Sequence, residues 1–238
     1  MTLFLLLIGC DEIDALLGGV TNPDVAEGLV VGLSVPADLD LSGTDFADGG
    51  RAAAYLSNVG GETPTDVALT LVSPSNGEIT FASEGEGAWT TPEGQAVSYV
   101  PGETLILKRD GAEILRADGA PAASINLPLT LSAGEGIHID VSYEDYDGVV
   151  VTVLNLATKE VTWTNAPEEA GVVYDMLVEE PVLVVDIPGE AFGQAGEYAV
   201  GVAGLQTNSV DEVTDVNTLS SIMATGILDF RRVTVSAE

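Results

Sequence analysis

Cys10 is the only cysteine in 238 residues, so no disulfide can form within the chain. Lys and Arg number seven against 38 Asp and Glu. The basic stripe that a phosphate backbone requires is therefore missing, which excludes nucleic acid as a partner. Adsorption onto anionic lipid through a basic face is excluded on the same ground. One histidine, His138, and one cysteine are too few for a zinc site of ordinary type, which draws on several such ligands. No Gly-x-Ser-x-Gly elbow occurs, and no Gly-rich loop leads from a strand into a helix. Neither a serine nucleophile of that kind nor a nucleotide-phosphate cradle is in view. The N-terminal apolar run, Leu3 to Ile8, is far shorter than the roughly 20 residues a membrane-spanning helix needs.

The rest of the composition is that of a folded protein. Disorder requires high charge together with low hydrophobicity. Here the formal charge is −31, but 46% of residues are hydrophobic and the mean hydropathy is +0.30. That apolar content is mostly Val, Leu, Ala and Ile with only 5% aromatic, punctuated by 27 Gly and 11 Pro. Such a mixture suits short strands joined by turns. The acid excess reads as a solvated coat, suited to high salt, to attracting cations or to meeting a basic partner.

The apolar run ends in Leu7-Ile8-Gly9-Cys10 and is followed at once by Asp11-Glu12. It is short even for a secretory core of about 7–15 apolar residues. No Lys or Arg precedes it, as expected where translation starts a few residues further upstream. The four residues ending in Cys10 resemble the lipobox of bacterial lipoproteins. The resemblance implies a signal peptide over residues 1–9, a diacylglycerol thioether on Cys10, and Cys10 as the mature N-terminus. Several acyl chains anchor stably where one would be marginal. The other reading of Cys10 is a buried thiol at a packed N-terminus. Asp11 resembles an inner-membrane retention signal of enteric bacteria; the outer membrane is nonetheless the expected location, its face left open.

Residues 10–34 read as the lipidated N-terminus and a tether, with one helical turn at Ile13, Leu16 and Leu17. From residue 51 onward, short alternating runs are separated by Gly, Pro, Asn and Asp. In TDVALTLVS, the residues Val67, Leu69 and Leu71 share one face. Asp110-Gly111 lies between two strand-like runs, a strong hairpin signal. The stretch ALTLVSPSNGEITFASEGEGAWTTPEGQAVSYVPGETLILKRDG resembles the Ig-like or transthyretin-like sandwich modules of bacterial surface proteins. Its Gly-aromatic turn and its Pro-Gly turn before the next strand carry the likeness, which brings no active site with it. ADGAPAAS, residues 117–124, reads as a boundary. Beyond it, about eight runs at intervals of about 8–12 residues fit a second sandwich. GVVVTVLNL and PVLVVDIP are apolar on both faces and are expected as central strands, ILDFRRVTVS as a closing strand, and residues 206–221 as a polar loop. The expectation is thus an all-β chain of two consecutive β-sandwich domains, residues 35–121 and 122–238.

Candidate sites are few. His138 alternates with Ile137 and Ile139 and shares a face with Asp140, a pairing that could orient a general base if a nucleophile stood near. Calcium is the metal the oxygen-rich inventory favours. In DLDLSGTDFADGG, the residues Asp38, Asp40, Ser42 and Gly43 match the first half of an EF-hand loop, with Asp45 nearby, but Gly49 occupies the closing position. YEDYDG, with Glu144, Asp145, Asp147 and Gly148, is a weaker candidate. For both, the simpler reading is an Asp/Gly turn between strands. Adjacent acids such as Glu168-Glu169 and Glu179-Glu180 single out no glycosidase pair. Trp163, in KEVTWTN, reads as a packing residue, with a sugar-stacking platform as the rival.

The sequence therefore points to a lipid-anchored envelope protein with a structural or protein-interaction role and no catalysis. Its partners would be the membrane, through the anchor, and an envelope or surface protein. The alternatives are a calcium-dependent adhesion module using Asp38, Asp40, Ser42 and Asp45, and an envelope hydrolase or glycan-binding protein.

Overall fold

The computed structural model describes residues 24–58, 63–64, 66–85, 87–141, 145–166, 177, 181–209 and 221–237. The signal peptide, Cys10, the helical turn at residues 13–17, Glu144, Glu168-Glu169, Glu179-Glu180 and residues 210–220 lie outside them.

Local alternation produces the strands. In β3 (Leu69–Ser73), Leu69 and Leu71 are fully buried and Val67 packs beside them, as the period-2 pattern requires. β7 (Thr104–Arg109) and β8 (Ala112–Asp118) form the expected hairpin around Asp110-Gly111. Both turn residues have positive φ, 51° and 84°, which matches the right-handed twist of the flanking strands.

Two long antiparallel strands, β14 (Gly196–Ser209) and β15 (Ile222–Ser236), form the spine of a nine-stranded sheet. On one side of β14 lie β11 (Gly148–Asn155) and then β12 (Glu160–Thr164). The other side of β15 changes partner along its length. β1 (Asp24–Ser34) runs parallel to it from Glu27↔Ile222 to Ser34↔Asp229, and β9 (Thr130–Ser132) is parallel to residues 234–236. β2 (Arg51–Asn58), β6 (Ala88–Thr90) and β5 (Ala82–Gly85) continue the sheet beyond β1.

Two smaller sheets cover one face of this layer. The order β4-β3-β7-β8, with β4 at Gly77–Thr80, encloses a core with β1, β2 and the start of β15 that includes Leu56, Leu69, Leu71, Leu105, Leu107 and Met223. The pair β10 (Ile137–Asp140) and β13 (Val184–Ile187) encloses a second core with β11, β14 and the end of β15, around Val151, Val153, Phe192, Tyr198 and Val233. The chain is an all-β protein of the sandwich class. The two cores separate in sequence near residues 117–125, except that β15 contributes to both while β1 pairs alongside it. The link is held against the spine: Thr225 donates to the Asp118 carbonyl at 2.9 Å and accepts from Ala120 N at 3.0 Å.

Four expectations are corrected. Residues 24–34, placed in the tether, are strand β1, because Ala26, Gly28 and Val30 alternate onto the first core and the backbone pairs on both edges. PVLVVDIP is not a central strand: β13 pairs only with β10 among the described residues and leaves Val184 51% exposed. ILDFRRVTVS is not a closing strand but the second half of the spine, since IMATGIL upstream extends it. The loop expected from residue 206 starts later, because β14 runs to Ser209.

Candidate functional site

The segment Pro36–Gly49 lies on the opposite face of the sheet from the two small sheets. Leu39 and Leu41 are buried there, and Phe46 meets Phe230 edge-on with ring centroids 5.2 Å apart. These apolar anchors set the path of the loop that carries Asp38, Asp40, Ser42 and Asp45. Asp40 Oδ1 accepts from Ser42 N at 2.9 Å, an Asx-type turn. Hydrogen bonding from Ser42, hydroxyl first and amide second, holds the Asp40 carboxyl below the usual carboxylate range, with Lys159 adding a smaller attraction. Lys159 Nζ donates to the Asp40 carbonyl at 3.0 Å, and Arg232 donates to the Asp38 carbonyl. Arg232 also stands 4.0 Å from the Asp38 carboxylate. Two of the protein's own cations therefore sit against the loop. Among the described residues, no group of three or more His, Cys, Asp or Glu side chains converges to hold a metal ion. The loop brings Asp38, Asp40, Ser42 and Asp45 into successive turns without gathering them.

His138 lies on β10 opposite Asp186 of β13. Its Nδ1 is 2.7 Å from Asp186 Oδ1, and both side chains are exposed. The hydrogen bond to Asp186, then its charge, raise the imidazole pKa above the usual value, while Asp140 contributes least. The partner read from the sequence, Asp140, is thus the lesser one. Alternation in IHID and in VVDI exposes both side chains, but the register joining residues 48 positions apart has no local signal.

The described end of YEDYDG, Asp145 to Gly148, leads into β11 and is clamped by β14. Asp147 Oδ2 accepts from Thr207 N at 2.7 Å and from its hydroxyl at 2.8 Å, and Gln206 Nε2 donates to the Asp145 carbonyl at 2.7 Å. Those carboxylate bonds stitch adjacent elements together. Trp163 is half-buried against the second core, and Trp89 is buried in the first. Lys159 and Arg232, the cations that hold the acidic loop, carried no signal in the sequence. Lys159 occupies a left-handed turn position (φ 64°) at the tip of the β11–β12 hairpin, 119 residues from Asp40.

No protein-family model matches the chain, and no curated protein matches it. Among solved structures, a crystal structure of DIP-gamma IG1+IG2 aligns at 10% identity over 91% of this chain and 98% of that chain, with a TM-score of 0.20. The FN1-FN3 domains of chicken CNTN1 align at 11% identity over 87% of this chain and 68% of that chain, with a TM-score of 0.18. Likeness at that level carries no weight for fold or function, and the sandwich class rests on the layers described above.

Proposed function

We propose that the chain is an exported, lipid-anchored protein of the cell envelope, on the outer membrane, with a structural or protein-interaction role and no catalysis. The observation that supports an architectural role is the shared spine. β15, held in one register against β14, contributes to both cores, so its covalent backbone joins one end of the protein to the other. The imidazole that acid–base chemistry would use sits on the solvent face of a two-stranded sheet, bound to Asp186. The Leu7-Ile8-Gly9-Cys10 motif supports the anchor.

Metabolic labelling with a palmitate analogue tests this reading. The native chain takes up label and sediments with membranes, while Cys10→Ala does neither. A Cys10→Ala variant that still labels overturns the anchor.

A further inference from the structure

We propose that Asn76 is a modification site, at which spontaneous deamidation opens a clasp between the β3–β4 turn and residues 98–103. The inference is independent of the anchor at Cys10.

The clasp is a side-chain amide that pairs as a stretch of backbone would. Asn76 Nδ2 donates to the Ser98 carbonyl at 2.6 Å, and Ser98 N donates to Asn76 Oδ1 at 2.9 Å. Ser98 thus presents one acceptor and one donor, and a carboxamide in this single orientation answers both. Nδ2 also donates to Ser73 Oγ at 2.7 Å, and Asn76 N donates to the same hydroxyl at 3.2 Å. Next to it, the Glu103 carboxylate accepts from Ser75 N at 2.6 Å, from the Ser75 hydroxyl, and from Val100 N at 3.0 Å. One amide and one carboxylate therefore tie the tip of the β3–β4 hairpin to residues 98–103. The hairpin fastened in this way carries Leu69, Leu71 and Ile79 into the first core.

Asn76 is also the one asparagine in the sequence that precedes a glycine. Asparagine is a chemically labile residue, and Gly77 brings no side chain to shield its own amide nitrogen. Gly77 has φ 68°, the space beside its Cα is open, and the turn residues Pro74, Ser75 and Gly77 are exposed to water. In the reaction, Gly77 N gives up its proton to water and bonds to Asn76 Cγ. The Cγ–Nδ2 bond breaks and ammonia leaves, closing a five-membered imide. Water then opens the ring. Attack at Cγ yields aspartate, and attack at the Asn76 main-chain carbonyl carbon yields isoaspartate. The net change is one water taken up and one ammonia released.

Both products undo the clasp. Aspartate still accepts from Ser98 N, and the Ser73 hydroxyl can turn to donate to it. The Ser98 carbonyl has no such remedy: a carboxylate oxygen now faces it where an N–H stood at 2.6 Å. The new charge also lies on the residue next to Ser75, which already binds the Glu103 carboxylate. Isoaspartate adds a carbon to the main chain of the turn itself, which shifts Gly77 from its pairing with Ser73.

The full chain is incubated at mildly alkaline pH beside a copy unfolded in urea, and both are followed by peptide mapping with mass spectrometry. Residue 76 of the folded chain is expected to change from amide to acid, ahead of every other asparagine. Asn76 still intact in the folded chain when the unfolded copy has converted completely overturns the modification site. Asn76→Asp, made directly, tests the clasp: its melting temperature is expected to fall below that of the native chain, and an equal melting temperature overturns the opening.

Discussion

The ring of Phe230 covers the bare backbone of Gly201, its cross-strand partner on β14. A Cβ at Gly201 would lie 2.6 Å from the ring edge, and the same ring is braced by Phe46 at 5.2 Å. The glycine makes room for the aromatic, and the aromatic replaces the side chain the glycine lacks. Gly201→Val is expected to destabilise the fold by about 1–3 kcal/mol through overpacking. Phe230→Ala, which empties a fully buried site, is expected to cost about 3–5 kcal/mol. Urea denaturation of both variants checks this; a Gly201→Val protein as stable as the native one would show that the ring moves aside freely.

The Asp110-Gly111 turn makes a separate, local prediction. Gly111 has φ 84°, and the space a methyl group would occupy there is open, so Gly111→Ala suffers backbone strain without a clash. A cost of about 1–2 kcal/mol is expected, visible in thermal melts. Asp110 also ties the hairpin to the residue that leads into β3, since its carboxylate accepts from Ala68 N at 2.9 Å. Asp110→Ala should therefore lower the melting temperature as well.

This hairpin, like β3, was readable because its information is local. Turn chemistry and period-2 burial need only neighbouring residues, and they place Leu69 and Leu71 inside the first core. The pairing of β1 with the spine was not readable. Ser34 donates to Asp229 at 2.7 Å across 195 residues of sequence, and nothing in either segment announces the other. The same holds for the candidate loop: its acids could be seen, while the Lys159 and Arg232 that answer them come from a distant hairpin tip and a distant strand.

The His138–Asp186 pair fixes the sign of one pH effect. The pKa of His138 is raised on folding, chiefly by the hydrogen bond to Asp186. Its contribution to stability is therefore fully present below the unfolded value of about 6.5 and is lost as the pH rises through the folded value. Both groups are exposed, so the effect on stability is small and the titration itself is the better readout. The imidazole NMR signals are expected to titrate above about 6.5, and Asp186→Asn to bring the midpoint back towards it. Asp140→Asn should shift it less.

Salt should stabilise the protein. Seven Lys and Arg can answer only a small part of 38 acids, through pairs such as Arg51–Asp48 at 3.2 Å and Arg116–Glu113 at 2.8 Å, and the net charge stays at −31. Screening shortens the reach of the remaining repulsion from about 10 Å at 0.1 M to about 3 Å at 1 M. The melting temperature is expected to rise over that range of sodium chloride, and a fall would mean that attractive pairs dominate instead.

Calcium is expected to add nothing beyond its ionic strength. A ligand bound only by the folded state raises the melting temperature, yet Asp38 and Asp40 face Arg232 and Lys159 in place of a common centre. Melts in millimolar calcium and in sodium chloride of equal ionic strength should coincide; a calcium-specific rise would show that the loop rearranges to gather its carboxylates.

By itself, the sequence determined the class of structure and the charge of the surface. Alternation marks which side chains leave water, turn residues mark where the chain reverses, and 38 acids against seven bases give the surface its sign, all without reference to distant residues. Only the tertiary structure decided what each buried face is buried against. β15 became a spine because its apolar residues extend over both faces and its two edges find β14, β1 and β9. His138 found Asp186, and Asp40 found Lys159, for the same reason. Hydrophobic burial is non-directional, so a strand's pattern states how much of it must be covered and leaves the choice of cover to the packing of the whole chain.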